Sequence, residues 1–306
     1  MEECCTNQGF QSFVVKDKYN KEFIYYWICN NKNEFISKAN GSTFLEISKN
    51  QITQIPLPLP TLSEQNKIAE FFSDIDTKIE KLTRKKELTE QYKKGAMQKI
   101  FSQEIRFKDE NGKDYPDWEE KSLGDIIKLQ GGYPFKSESY RTTGIPVIRI
   151  SNISNNHNYI ESDNIVYYEP IENDNTFSLK NGDLIIAMSG ATTGKTSIFN
   201  LKEKGYLNQR VGLFKAISND LYYPYLIQFI FSKKFSDQLT KRLVAGAQPN
   251  ISPSDIESVE IQLPIFAEQK KIADFMIDLD TRIEHIDKEL ITLKEFKKGL
   301  LQGMFV

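Results

Sequence analysis

Near the end of the chain, apolar residues fall at Ile272, Met276, Leu279, Ile283, Ile286, Leu290 and Leu293, alternating by four and three. That spacing is the a/d seam of a helix of about three heptads. An earlier stretch carries the same stripe at Ile68, Phe72, Ile75, Ile79 and Leu82, then has Lys86 and Thr89 where the later one has Leu290 and Leu293. Leu88 and Tyr92 restart the stripe in a shifted phase, which predicts a stutter. Ser63 is the expected N-cap of the earlier helix, with acidic Glu64 in its first turn. A helix over 64–101 spans about 57 Å at 1.5 Å per residue, too long for one small globule to bury. The pattern predicts two long helices packed on each other and separating two globular units. Each helix follows its own unit, so the pair is expected to be antiparallel, with Ile68, Ile75, Ile79, Ile272, Leu279 and Ile283 in its seam.

Between the helices the pattern changes twice. The stretch 109–120 holds six acids, one Lys, one Gly and one Pro, and reads as a linker and turn. From Ser122 to Leu263 short strand-like runs follow, at 145–150, 165–168, 183–188, 196–199 and 211–216, punctuated by Gly, Asn and Pro. A helical segment is expected at 222–243, with Leu226, Phe229, Ile230 and Phe235 on its apolar side. Together these describe a mixed globular domain of about 140 residues.

The two helical stretches are copies of each other. Residues 52–101 align on 256–305 without a gap at an offset of 204, and nineteen of the fifty positions are identical. Glu64-Gln65-x-Lys67-Ile68-Ala69-x-Phe71 falls on Glu268-Gln269-x-Lys271-Ile272-Ala273-x-Phe275, and Asp76-Thr77-x-Ile79-Glu80 on Asp280-Thr281-x-Ile283-Glu284. Upstream, with small shifts, Ile47-Ser48 corresponds to Ile251-Ser252, and Asn7-Gln8 to Asn208-Gln209. The second repeat reaches back to about Trp118, and the first lacks roughly its leading ninety residues, so the sequence reads as one and a half repeats. Residues 10–15 read as a strand and 22–37 as a helix, and Phe23, Tyr26 and Trp27 are expected to be partly uncovered unless something replaces the missing half of the repeat.

Composition narrows the function classes. Forty Lys/Arg against 42 Asp/Glu give a net charge of −2, which excludes a uniformly basic coat. The longest apolar runs fall far short of the ~18 residues of a membrane helix, and the N-terminus lacks a signal-peptide pattern. Three cysteines build neither a disulfide framework nor a metal cage. A cytoplasmic protein with reduced thiols is expected.

Candidate chemistry is sparse. Ser189-Gly-Ala-Thr-Thr-Gly-Lys-Thr196 resembles a phosphate-binding loop, which makes an NTP-binding enzyme using 190–196 the alternative reading. However, Gly190 and Gly194 enclose three residues where that motif needs four, and the following residues are β-branched and strand-like. His157 and His285 have no metal-ligand spacing around them, and no methyltransferase tetrapeptide or dinucleotide fingerprint occurs. Charge is unevenly placed instead. Residues 121–250 hold 15 Lys/Arg and 11 Asp/Glu, a net of +4 that leaves −6 for the remainder. Stretch 139–160 contains no acid, and 184–219 contains one, Glu203, against Lys195, Lys202, Lys204, Arg210 and Lys215. Fork-shaped and amide side chains in such stretches are those that bond phosphates and base edges.

Near-identical long helices behind variable domains resemble the specificity (S) subunit of type I restriction–modification enzymes. The residues that carry this are Leu263-Pro-Ile-Phe-Ala-Glu-Gln-Lys-Lys-Ile-Ala-Asp-Phe275 and its partner from Leu59, with Trp118-Glu-Glu-Lys-Ser-Leu-Gly124, 144–153 and 182–191. The resemblance implies an α+β fold, with mixed α/β target recognition domains separated by long conserved helices that form an antiparallel coiled coil. The expected divisions are a first-domain remnant at 1–63, spacer helices at 64–101 and 265–306, a linker at 102–120 and a complete recognition domain at 121–264. It further implies a subunit without catalytic residues or cofactor. Such a subunit reads a half-site of a bipartite duplex DNA target and docks methyltransferase subunits, which recruit the restriction/translocase subunit. The short first domain leaves three readings open: completion by a separate chain, association of two chains, or a non-functional remnant. Expected DNA contacts are Arg141, Arg149, Asn152, Thr192, Lys195, Asn208, Gln209 and Arg210. Expected partner contacts on the helices are Asp76, Thr77, Asp280, Thr281 and Glu284.

Overall fold

The computed structural model describes residues 9–41, 45–153, 158–244 and 250–305. They form two units, one of residues 1–90 with 281–306 and one of 91–280. In the first, helices α1 (Lys21–Asn30), α2 (Lys32–Lys38) and α3 (Lys49–Ile52) precede the start of α4 (Leu62–Phe101), and the end of α8 (Phe266–Met304) lies against α4. Asn20 caps α1 through its side chain, accepting from the Phe23 amide, and Ser48 and Gln51 form a capping box on α3. At α4 the Thr61 hydroxyl, not Ser63, accepts from the Glu64 amide at 3.4 Å. Leu62 already lies inside the helix, so Ser63 is one turn position too late to cap it.

The long helices run antiparallel: in this unit Phe72 stacks near Phe305, Asp76 pairs with Lys297 and Lys86 with Asp287. Ile75 is buried, and Ile68, Ile79 and Ile283 are half-buried along the seam. The shifted stripe does not form. Leu88 and Tyr92 are exposed, and Lys86 occupies the seam position itself because Asp287 supplies its counter-charge at 2.6 Å. Phe23, Tyr26 and Trp27 are buried rather than uncovered. Phe23 packs on Phe305, Tyr26 on Phe72, and Trp27 on Phe35. The long-range partners Phe72 and Phe305 are what the local pattern could not supply. No strand forms over 10–15.

The second unit is built on strands β1 (Glu119–Ser122), β2 (Ile127–Gly131), β3 (Ile145–Ile148), β4 (Val166–Tyr168), β5 (Ser178–Leu179), β6 (Leu184–Ala187), β7 (Thr196–Ile198), β8 (Gly205–Leu207), β9 (Val211–Ala216) and β10 (Glu260–Leu263). One sheet has the order β2-β9-β6-β7 and is antiparallel; another, β4-β3-β8-β5, contains the parallel pair β3–β8; β1 and β10 pair apart. Strand β6 is buried at all four positions, as its unbroken Leu-Ile-Ile-Ala requires. Its alternation sends Leu184 and Ile186 into one core and Ile185 and Ala187 into the other. The first core includes Met97, Ile100 and Phe101 of α4, and Ile272, Met276 and Leu279 of α8. The predicted single helix at 222–243 is two, α5 (Tyr223–Ile230) and α6 (Lys233–Val244), followed by α7 (Pro253–Glu257). The break follows Phe231, where the Ser232 hydroxyl turns to accept the Phe235 amide.

Candidate nucleic-acid interface

The C-terminal ends of β2, β3, β6 and β8 share one end of the two sheets, and the turns leaving them are tied together. The Tyr133 amide donates to the Leu207 carbonyl at 2.8 Å, and the Gln209 amide to the Tyr133 carbonyl at 3.0 Å. The Asn208 amide donates to the Ile148 carbonyl, and the Met188 amide to the Arg210 carbonyl. Gly132 permits this approach, because a Cβ there would lie 2.1 Å from the Leu207 oxygen. The β6–β7 turn closes on Gly190 and Gly194, with φ of 85° and 81°, and the Gly194 amide bonds the Ala187 carbonyl.

On this frame Lys195, Gln209 and Arg210 are exposed. Among the described residues neither Lys195 nor Arg210 has an acidic partner, so both cations remain available to an anionic ligand. Tyr133 joins them. It is 40 % exposed, with its ring at 4.8 Å from that of Phe177 and 5.0 Å from that of Phe135. The sequence reading missed it; the signal was an aromatic directly behind Gly131-Gly132 at a strand end.

Five other expected DNA contacts are engaged elsewhere. Asn152 is fully buried, its Oδ1 accepting from the Arg149 amide and its Nδ2 donating to the Glu161 and Asp163 carbonyls. It holds a turn and presents nothing to a groove. Arg149 is half-buried, donates to the Asn164 carbonyl at 2.8 Å and lies over the Tyr140 ring. Its guanidinium braces a loop in this structure. The Thr192 hydroxyl donates to the Ile150 carbonyl, and the Asn208 Oδ1 accepts from the Arg210 amide. Both position the turns that carry the exposed three. Arg141 lies at the outer edge of β4, bonded to Tyr167, and pairs with Glu169 at 2.6 Å. Residues 7, 8 and 157 lie outside the described residues.

The 190–196 loop joins two antiparallel strands and is followed by β7, not by a helix. It lacks the helix N-terminus that holds a nucleotide phosphate, so the alternative of an NTP-binding enzyme is set aside. Among the described residues no cluster of His, Cys, Asp and Glu could hold a metal ion, and no helix is long and apolar enough to cross a membrane.

On the long helices, repeated residues do repeated work. Asp76 accepts from Lys297 and Asp280 from Lys93, each at 2.5 Å, and the four residues are equivalent under the 204 offset. Asp76 also accepts from the Tyr26 hydroxyl at 2.8 Å; burial and this bond push the Tyr26 phenol well above its ordinary range. These aspartates hold the helices together, which accounts for their repetition without a docked partner. Thr77, Thr281 and Glu284 are exposed, as is Glu80, the repeat of Glu284. Gln65 and Gln269 are both buried. Gln65 accepts from the Asn20 amide and Gln269 from the Tyr222 amide, and each donates to the carbonyl of the proline five residues before it.

Residues 1–90 and 115–295 match the family model described as the type I restriction modification DNA specificity domain. The specificity subunit of type I restriction enzyme MjaVIII from Methanocaldococcus jannaschii is 28% identical over 296 residues, covering 94% of this chain and 70% of that protein. The MjaIX specificity subunit from the same organism is 26% identical over 310 residues, covering 97% and 71%. The crystal structure of a type I restriction-modification S subunit from M. genitalium aligns with a TM-score of 0.64 at 18% identity, over 94% of this chain and 73% of that one.

Proposed function

This chain belongs to the family of type I restriction modification DNA specificity domains, and from that membership we propose that it is a DNA-reading and scaffold subunit without catalytic residues of its own. The turns at 132–133, 188–195 and 208–210 read half of a bipartite duplex site. Methyltransferase subunits dock on the long helices, and the restriction/translocase subunit joins through them. The observation that carries the reading is the convergence of exposed Lys195, Gln209, Arg210 and Tyr133 on one end of the sheets. A phosphate-neutralising pair beside an amide able to bond a base edge is the combination that positions a protein on DNA and selects sequence. The docking surface is narrowed to the repeated, exposed Thr77/Glu80 and Thr281/Glu284, since Asp76 and Asp280 are spent on lysines within the chain.

Immobilised duplex DNA tests both roles at once. The wild-type chain should retain the methyltransferase of its own system on the DNA. A variant carrying Thr77→Arg, Glu80→Arg, Thr281→Arg and Glu284→Arg should still bind DNA while retaining at least tenfold less methyltransferase. Undiminished retention by the variant would remove these helix faces from the docking site.

A further inference from the structure

Two glycines precede Tyr133, and packing explains only one of them. Gly132 lies against the Leu207 and Asn208 backbone, where no side chain fits. Gly131 is exposed, ends β2 with a φ outside the left-handed region, and has nothing within 4 Å of the place a Cβ would take. A glycine at such a position costs backbone entropy relative to alanine, and the fold gains nothing from it. What bare backbone at an exposed strand end does provide is room for a ligand to come close.

Tyr133 stands beside that clearance on a stiff base. Its amide donates to the Leu207 carbonyl and its carbonyl accepts from the Gln209 and Phe135 amides, so the backbone is held on both sides. Pro134 follows, exposed and with its φ fixed by the ring. The Tyr133 ring lies over buried Phe177, tilted by 35°, and meets buried Phe135 edge-on. Phe135 in turn stacks on Tyr206 at 5.6 Å, and Phe177 meets Tyr206 edge-on at 5.1 Å. Tyr206 is fully buried, and its hydroxyl is fixed between Asp174 and the Ile171 amide. The exposed ring is thus the outer end of a group of four aromatic rings rooted in the second core. A ring so braced loses little rotamer freedom when a flat partner stacks on it.

We propose that Tyr133 is a stacking wedge: its ring takes the face of an unstacked base, and Gly131 and Gly132 let the DNA backbone pass close to the strand end. The inference rests on the reading of these turns as the DNA-facing surface and adds what they do to the duplex. Exposed Lys195 and Arg210 hold phosphates, and Gln209, whose amide is bonded to the Tyr133 carbonyl, meets a base edge beside the wedge. Stacking on an aromatic face is tolerant of base identity. The step at which the ring enters is therefore selected by how easily it opens, which adds specificity where no side chain reads a base.

Competition between two duplexes of the same length and sequence, one fully paired and one with a central mismatched step, tests this on the full chain. The wild type should prefer the mismatched duplex roughly tenfold or more, because that step is already open. Tyr133→Phe should keep the preference and Tyr133→Ala should bring the ratio of affinities to about one. Gly131→Val, whose side chain the open space accepts, should keep the melting temperature and weaken binding of the mismatched duplex by roughly tenfold. Equal wild-type affinity for the two duplexes, with binding still dependent on Lys195 and Arg210, would overturn the wedge and leave the DNA-facing reading standing. An undiminished preference in Tyr133→Ala would do the same. Failure of the wild type to bind either duplex would overturn both.

Discussion

Replacing Lys195 and Arg210 together with alanine should weaken binding to duplex DNA roughly 10- to 100-fold at moderate salt and lower the salt slope by about two. Both side chains stand on turns fixed by backbone bonds and neither has an acidic partner among the described residues, so removing them leaves the framework intact. The loss should be the same for cognate and unrelated sequences, because phosphate contacts carry no base information. Gln209→Ala should behave differently, costing about 1–3 kcal/mol on the cognate half-site and little elsewhere. Titration of each variant against two duplexes over a range of salt separates the cases. Unchanged affinity in the double variant would move the DNA-facing surface away from these turns.

Arg106→Ala should lower the unfolding free energy by about 3–5 kcal/mol, the cost of leaving one partner of a buried ion pair uncompensated. Glu268 is fully buried, and Arg106 binds it through two nitrogens while also bonding the Tyr115 and Pro116 carbonyls. The proximity of Glu268 holds the Arg106 guanidinium above its usual range. In a Glu268→Gln background the same substitution should cost much less, because the uncompensated charge is gone. Urea denaturation of the four proteins gives the coupling. A coupling near zero would mean that Arg106 acts through packing alone.

The long helices were legible because a 3.5-residue apolar repeat leaves few alternatives, and duplication doubled the signal. The same pattern misplaced the stutter at Leu88 and Tyr92, since a cross-helix salt bridge at Lys86 is invisible to hydrophobic periodicity. Five strands were recovered as apolar runs. Strand β1, Glu-Glu-Lys-Ser, was not, because nothing in its composition makes it extended; pairing with β10 does. Of the expected DNA contacts, residue type could not distinguish an amide facing solvent from one closing a turn. Asn152 and Gln209 look alike in sequence, and only the 3₁₀ turn at 150–152 buries the first. Repetition was likewise read as a shared partner at Asp76 and Asp280, where the structure spends it on Lys297 and Lys93.

The most direct measurement of the DNA-reading role is a map of methylated bases in cells that carry this chain with its methyltransferase, before and after residues 121–264 are exchanged for the matching domain of a relative. The account predicts that the methylated sequence changes in one half of a bipartite motif and that methylation persists, since the helices are untouched. An identical motif after the exchange would contradict it.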